Sequence, residues 1–482
     1  MMITEIGHYA LVLALGRNRD IAWGGTSLHA ASSDLFEVGS RGPERIETRR
    51  ERIKVRWWPD QEITIRSAPE GPIVSDSPLL VPAPRGRRRR GSGEALALRW
   101  IGHQPSDEMS ALLGVARASD WDGFIGALES FAVPAQNMIY ADARGRVAQA
   151  MAARLPRRPL APPDELVAAQ EAELHWESPV AASGLPKIDR PDAPFVASAN
   201  NRPDGGEVAV GHFFSPNDRV ERLRHLLGGP EKKSLAFLAR MQQDVGMERG
   251  KGYATRLVAL LAESGRQTTG SPLMAALAAW DGVYEEGSAG ALAFELLAYR
   301  LIVALHGQAA VPVYAATWDA WALLAEDMDH SEQGRLRDAA AKALGEAEPV
   351  FRKLKRWGEA HRLRLAHFLG KAPLIGRRYR FADLPAGGGN ETLMKTAHGF
   401  ATGRHQVRYG ANARHISDLS DPDENYFVLL GGQDGWLGST TWLDQLPLWR
   451  SGSYIQMPLT PEKVAAQFPH VTRHRPQGGG GA

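Results

Sequence analysis

The spacing of apolar residues changes twice along the chain. Over roughly the first 230 residues the apolar positions recur with the period of two that marks half-buried strands. YALVLAL (9–15) and DIAWGGT (20–26) read as neighbouring strands across a Gly/Asn/Asp-type turn. RIKVRWW (52–58) and EITIRSA (62–68) alternate around Pro59-Asp60 and predict a hairpin, with GPIVSD (71–76) following. SDWDGFIGALESFA (119–132) predicts an amphipathic helix, capped by Ser119 or Asp120 and burying Trp121, Phe124 and Leu128. NMIYADARGRVAQAMA (137–152) predicts a strand, a turn at Ala143–Gly145 and a second strand; residues 154–193 are Pro-rich and irregular.

From Asn217 the period becomes helical. NDRVERLRHLLGG places Val220, Leu223 and Leu227 on one stripe and stops at Gly228. Helical spacing continues through 234–247, 252–264, 272–281, 287–307 and 314–368, and after 378 short strands and Gly-rich turns return. The pattern predicts three parts: strand-rich 1–216, a helical insertion 217–377, and C-terminal strands in 378–482. Strands from both ends are expected to share a sheet. The fold class is therefore α+β.

Composition narrows the function classes. The chain has 482 residues, 43% of them hydrophobic, enough for a large core. Its 57 basic and 55 acidic residues leave a net charge of +2, which gives no global drive toward nucleic acid or anionic membrane. The run Arg87–Arg90, with Arg85, lacks interleaved aromatics and reads as a solvated loop rather than a nucleic-acid patch. The absence of cysteine removes thiolate nucleophiles, thiolate metal sites and disulfides. No basic n-region precedes the short apolar stretch at the N-terminus, and no run approaches the roughly 20 apolar residues of a spanning helix. The sequence as written is thus expected to carry neither export signal nor anchor.

The common catalytic signatures are missing. There is no G-x-S-x-G, S-x-x-K, H-E-x-x-H or P-loop. GGGN (387–390) and GGQDG (431–435) read as turns. Of the 15 histidines, His470 and His474 have i, i+4 spacing but sit in a Pro/Gly-rich tail, and His398, His405 and His415 are expected to face solvent or satisfy backbone groups. What remains is a series of polar residues at the ends of apolar runs. FVASANNRP (195–203) is the oddest: a buried, extended run that ends on two carboxamides, although Asn is depleted in strands.

These polar residues, taken in order, resemble the large subunit of the penicillin acylases, which are N-terminal-nucleophile amidohydrolases. The family's N-x-x-I-A-W-G-x-T stands here as Asn18–Thr26, its N-x-x-Y-A-D-x-x-G as Asn137–Gly145, and its A-N-N-R as Ala199–Arg202. NDRVERL matches its arginine region, and Gly432–Trp449 matches its Gly-Gln…Asp-Gln…Trp segment, with Asp444, Gln445 and Trp449 retained and Asp434 and Trp442 replacing Ser and Tyr. The match spans about residues 10 to 465.

The resemblance implies a four-layer αββα sandwich with a helix-rich insertion. It implies cleavage of an amide by an N-terminal Ser, with its own α-amine as base. It assigns Asn200 and the backbone N–H of Ser27 to the oxyanion hole, Arg219 to stabilising that asparagine and nearby charge, and Gly25 and Gln136 to the acyl pocket. It implies a calcium site to which Asp34 aligns as one ligand, with Ala31 in place of a neighbouring acidic ligand, so no metal is assigned. A light chain is the expected partner and an N-acyl amide the substrate, with no nucleic acid or membrane. A periplasmic location is expected for the full-length family member. Position 2 is Met, and no Ser, Thr or Cys becomes N-terminal by methionine removal. The chain as written is therefore expected to lack the nucleophile, the first strands and the light chain. The competing expectation is a non-catalytic descendant that binds acylated ligands.

Overall fold

The computed structural model describes residues 14–77, 95–160, 168, 170–189, 194–264, 270–434, 436 and 438–473. Arg85–Arg90, His474 and most of the 9–15 run lie outside them. The chain divides into two compact units, residues 10–214 and residues 215–482 together with 1–9. Among the described residues there are six sheets and thirteen α-helices, a mixed α+β architecture.

The 10–214 unit is built on a five-stranded antiparallel sheet, in the order Gly16–Arg17, Ile21–Ser27, Gln136–Asp142, Val147–Ala152, Ile188–Asp189. Alternation along the strands sends Ile21, Trp23, Met138 and Tyr140 to one face, against Trp121, Phe124 and Leu128 of the helix Trp121–Leu128. Asp120 caps that helix by accepting from the Gly123 amide at 2.9 Å. The opposite face carries Met151, which packs with Leu28, Val208 and Val210.

Two expectations in this unit are corrected. The hairpin pairs Glu47–Ile53 with Gln61–Ala68, so its first strand lies upstream of the expected 52–58. Both strands are largely exposed, so apolar alternation does not set their register, and Trp57 takes a left-handed φ of 67° that ends any strand there. Residues 195–197 do not join a ladder and are only half-buried. The segment behind them is held by side-chain hydrogen bonds instead.

The 215–482 unit has a helical core. Asp218–Leu227 forms as expected and ends at Gly228. Its central helix, Ala289–His306, packs on Gln333–Leu354 through Phe294, Leu301 and Ala340 and is apolar on nearly every side. It is also the one helix among the described residues long and apolar enough to cross a membrane, and 72% of it is buried within the protein.

The 314–368 stretch is not one helix but several. Asp319 and Glu332 accept from the first amides of new helices, and Lys355, with a φ of 66°, stops the last long one. Residues His361–Ala366 are a strand, antiparallel to Arg380–Pro385 and parallel to His405–Gln406. The other C-terminal strands also pair locally, Arg414–Ser417 with Asn425–Val428 and then Ile455–Gln456. Among the described residues no sheet takes strands from both ends of the chain, because the short C-terminal strands find their partners within a few turns.

Candidate active site

The strand Ile21–Ser27 ends with Ser27 opposite Gln136. The Leu28 amide donates to Ala135 O at 3.0 Å and the Ala143 amide to Asp20 O at 2.9 Å, which makes the even-numbered residues the ones bonded to that neighbour. Ser27 falls between them, so its N–H and C=O point away from the Gln136 strand. On that side the Asn200 carboxamide donates from Nδ2 to Ser27 O at 2.9 Å.

Asn200 is brought there by a pinned turn. Ser198 Oγ lies 2.6 Å from Thr26 Oγ1 and accepts from Asn137 Nδ2 at 3.0 Å, which ties the turn to both central strands. Asn201 closes it, accepting from the Ala199 amide at 3.1 Å and donating to Arg202 O at 2.9 Å. Asn200 itself sits at a φ of 64°, the left-handed region that asparagine tolerates better than most residues. Such a conformation persists only where surrounding bonds enforce it. An amide NH2 carries two donors; the Ser27 carbonyl takes one and so fixes the plane of the other.

Gly25 and Gln136 are neighbours on the same two strands. A Cβ at Gly25 would meet Met138 Sδ at 2.9 Å and Gln136 Oε1 at 3.5 Å, so these two side chains close over the strand there. Four of the five sequence-derived site residues, Gly25, Ser27, Gln136 and Asn200, are thus brought together within this unit. Arg219 belongs to the other unit, in the first turn of Asp218–Leu227. Burial pushes its guanidinium below the usual arginine range, and Glu391 beside it acts the other way. Burial raises Glu391 to about 7 against the pull of Lys395 and Arg219, and lowers Lys395.

Asp34 does not fit a calcium site. Its carboxylate pairs with the Arg158 guanidinium at 2.7 Å and accepts from Trp176 Nε1 at 2.8 Å. The same guanidinium donates to the carbonyls of Ala31 and, at 3.1 Å, of Ser33. A hard cation needs six to eight oxygens. Here the three oxygen-bearing groups of Ala31, Ser33 and Asp34 already surround an internal cation.

Sequence reasoning passed over Thr26, Asn137 and Ser198, which lay inside the quoted motifs but whose signal is only their shared position at strand ends. It also passed over Arg158, an isolated arginine in a Pro-rich segment. The expectation for His398 and His405 is corrected in part. Each donates to a backbone carbonyl, Gly399 O at 2.5 Å and Gly403 O at 2.9 Å, but neither simply faces solvent: both rings pack against His361.

The penicillin amidase family model matches residues 8–466, and the chain belongs to that family. Among curated proteins it is similar to the penicillin acylase 2 proenzyme of Pseudomonas sp. (strain SE83), 26% identical over 455 residues, which cover 88% of this chain and 55% of the relative. The chain spans about half the length of that relative. Among solved structures it is similar to the thermostable penicillin G acylase from Alcaligenes faecalis, with a TM-score of 0.63 and 18% identity over 96% of this chain and 89% of that one. That likeness establishes the fold.

Proposed function

We propose that this chain belongs to an enzyme that hydrolyses the amide of N-acyl substrates, such as β-lactam side chains or acyl-homoserine lactones. The observation that carries the reading is the bond from Asn200 Nδ2 to Ser27 O, which places a carboxamide and a strand-end amide on one edge. In this reading a serine hydroxyl at a chain N-terminus attacks the scissile carbonyl. Its proton passes to its own α-amine through a water, since an amine with a pKa near 8 accepts protons at neutral pH. The Ser27 N–H and the Asn200 carboxamide donate to the oxyanion that forms. Collapse expels the protonated amine, and water then hydrolyses the acyl ester by the reverse proton path. Gly25 and Gln136 border the acyl group. A light chain, a four-layer αββα core and a periplasmic location complete the proposal.

The test is hydrolysis of a chromogenic N-acyl amide by the protein in its complete natural form, followed before and during steady state. A burst of amine equal to the enzyme concentration supports an acyl-enzyme. Binding of the amide without any release of amine favours the non-catalytic alternative.

A further inference from the structure

The 215–482 unit contains three histidines whose lone pairs face one another. His361 and His405 are register partners in a parallel strand pair, and His398 follows the short strand Thr396–Ala397. The three ring centroids are 4.9–5.0 Å apart, and one ring nitrogen of each lies within 4.8 Å of the other two. His361 and His398 are buried and His405 is half-buried.

Their hydrogen bonds fix the tautomers. Thr396 Oγ1 donates its only proton to Gly387 O at 2.8 Å, so it must accept from His361 Nε2 at 3.1 Å. His361 Nδ1 therefore carries a lone pair. His405 Nδ1 spends its proton on Gly403 O at 2.9 Å, which leaves a lone pair on Nε2. These two nitrogens, both acceptors, face each other at 3.0 Å. His398 Nδ1 donates to Gly399 O, and its Nε2 is fully buried with no hydrogen-bond partner among the described residues. Two acceptors held that close repel unless a cation lies between them.

We propose that His361, His398 and His405 form a binding site for a divalent transition metal such as zinc, with the Glu295 carboxylate beside it as the balancing charge. Each ring has its second nitrogen anchored to a carbonyl or hydroxyl, the arrangement that orients imidazoles toward a metal. Zinc–nitrogen bonds of about 2.0–2.1 Å put tetrahedral ligands roughly 3.3 Å apart, close to the His361–His405 separation. Glu295 Oε1 lies 3.7 Å from His398 Nε2 and accepts from Tyr284 at 2.9 Å, while its Oε2 has no partner among the described residues. The metal would pin the central helix, through Glu295, to the strands His361–Ala366 and His405–Gln406, which is a structural role.

The test uses the full-length protein, stripped with a chelator and titrated with Zn(II) and, separately, Co(II). One equivalent should bind, Co(II) should show the visible bands of a tetrahedral nitrogen site, and Zn(II) should raise Tm in a concentration-dependent way. His398→Ala and His405→Ala should abolish both signals. Thr396→Val, which frees the His361 tautomer, should weaken binding by about 10–100-fold while the chain still folds by circular dichroism. Nitrogen-15 NMR of the stripped protein should show three neutral rings in the stated tautomers. No stoichiometric binding, binding unaffected by the histidine substitutions, or a proton shared between His361 and His405 in the stripped protein would each overturn the site.

Discussion

The Asn200 carboxamide meets the main-chain carbonyl of Ser27 at 2.9 Å, across 173 residues of sequence. Neither residue could fix that contact alone. The strand ladder turns the Ser27 peptide away from its Gln136 neighbour, and the Ser198 hydroxyl, between Thr26 and Asn137, brings the asparagine up to it.

Ser198→Ala should therefore harm both stability and turnover. It leaves the Asn137 NH2, in a side chain only 1% exposed, without its hydroxyl acceptor. The loss should be about 1–3 kcal/mol, read from the denaturant midpoint. Turnover should fall with KM nearly unchanged, because the carboxamide is then less well placed. Ser198→Thr should recover part of both.

At Gly25 the strand has no room for a methyl group. Gly25→Ala would set a Cβ 2.9 Å from Met138 Sδ, and Met138 is buried against the helices Glu108–Arg117 and Trp121–Leu128. An overpacked site of this kind costs about 1–3 kcal/mol. The companion measurement is KM for acyl groups of increasing size, which should rise most for the bulkiest.

Arg158→Ala should be among the most damaging single changes outside the site. It strips the half-buried Asp34 carboxylate of its largely buried cation and leaves the Ala31 and Ser33 carbonyls without that donor. Breaking such a pair costs about 3–5 kcal/mol. Added calcium or a calcium chelator should leave the Tm of the wild-type protein unchanged, because the guanidinium already supplies the charge. A calcium-dependent Tm would contradict this assignment.

Glu391 should make stability fall with rising pH. Burial raises its folded pKa from 4.5 to about 7, so the folded state holds the proton more tightly than the unfolded state. The sign follows: this contribution is fully present below pH 4.5 and is lost as pH rises through 7. A shift of that size corresponds to about 3 kcal/mol. Glu391→Gln should flatten the pH dependence of the denaturation midpoint over that window.

Local chemistry made much of this legible in the sequence. Asp120 as a cap, the stripe Trp121–Phe124–Leu128 and the strand pair around Ala143–Gly145 follow from periodicity and turn residues, and the structure contains them. The ordered polar motifs located Ser27, Gln136 and Asn200 before any contact was known. What was hidden depends on partners far away in sequence. Arg158 gains its meaning only from Ala31, Ser33 and Asp34. His361 and His405 become a pair only through a parallel register, which no spacing rule encodes. The exposed hairpin of Glu47–Ile53 slid from its expected place because neither of its faces is buried.

The most direct test of the oxyanion assignment is the steady-state kinetics of Asn200→Ala in the complete protein, acting on a chromogenic N-acyl amide. Loss of one fixed donor should cost about 2.7–4 kcal/mol of transition-state stabilisation, a fall in kcat of roughly 10²–10³ with KM little changed. A variant that stays folded and keeps wild-type kcat would contradict the role given to Asn200 and, with it, the reading of the Ser27 edge as the catalytic site.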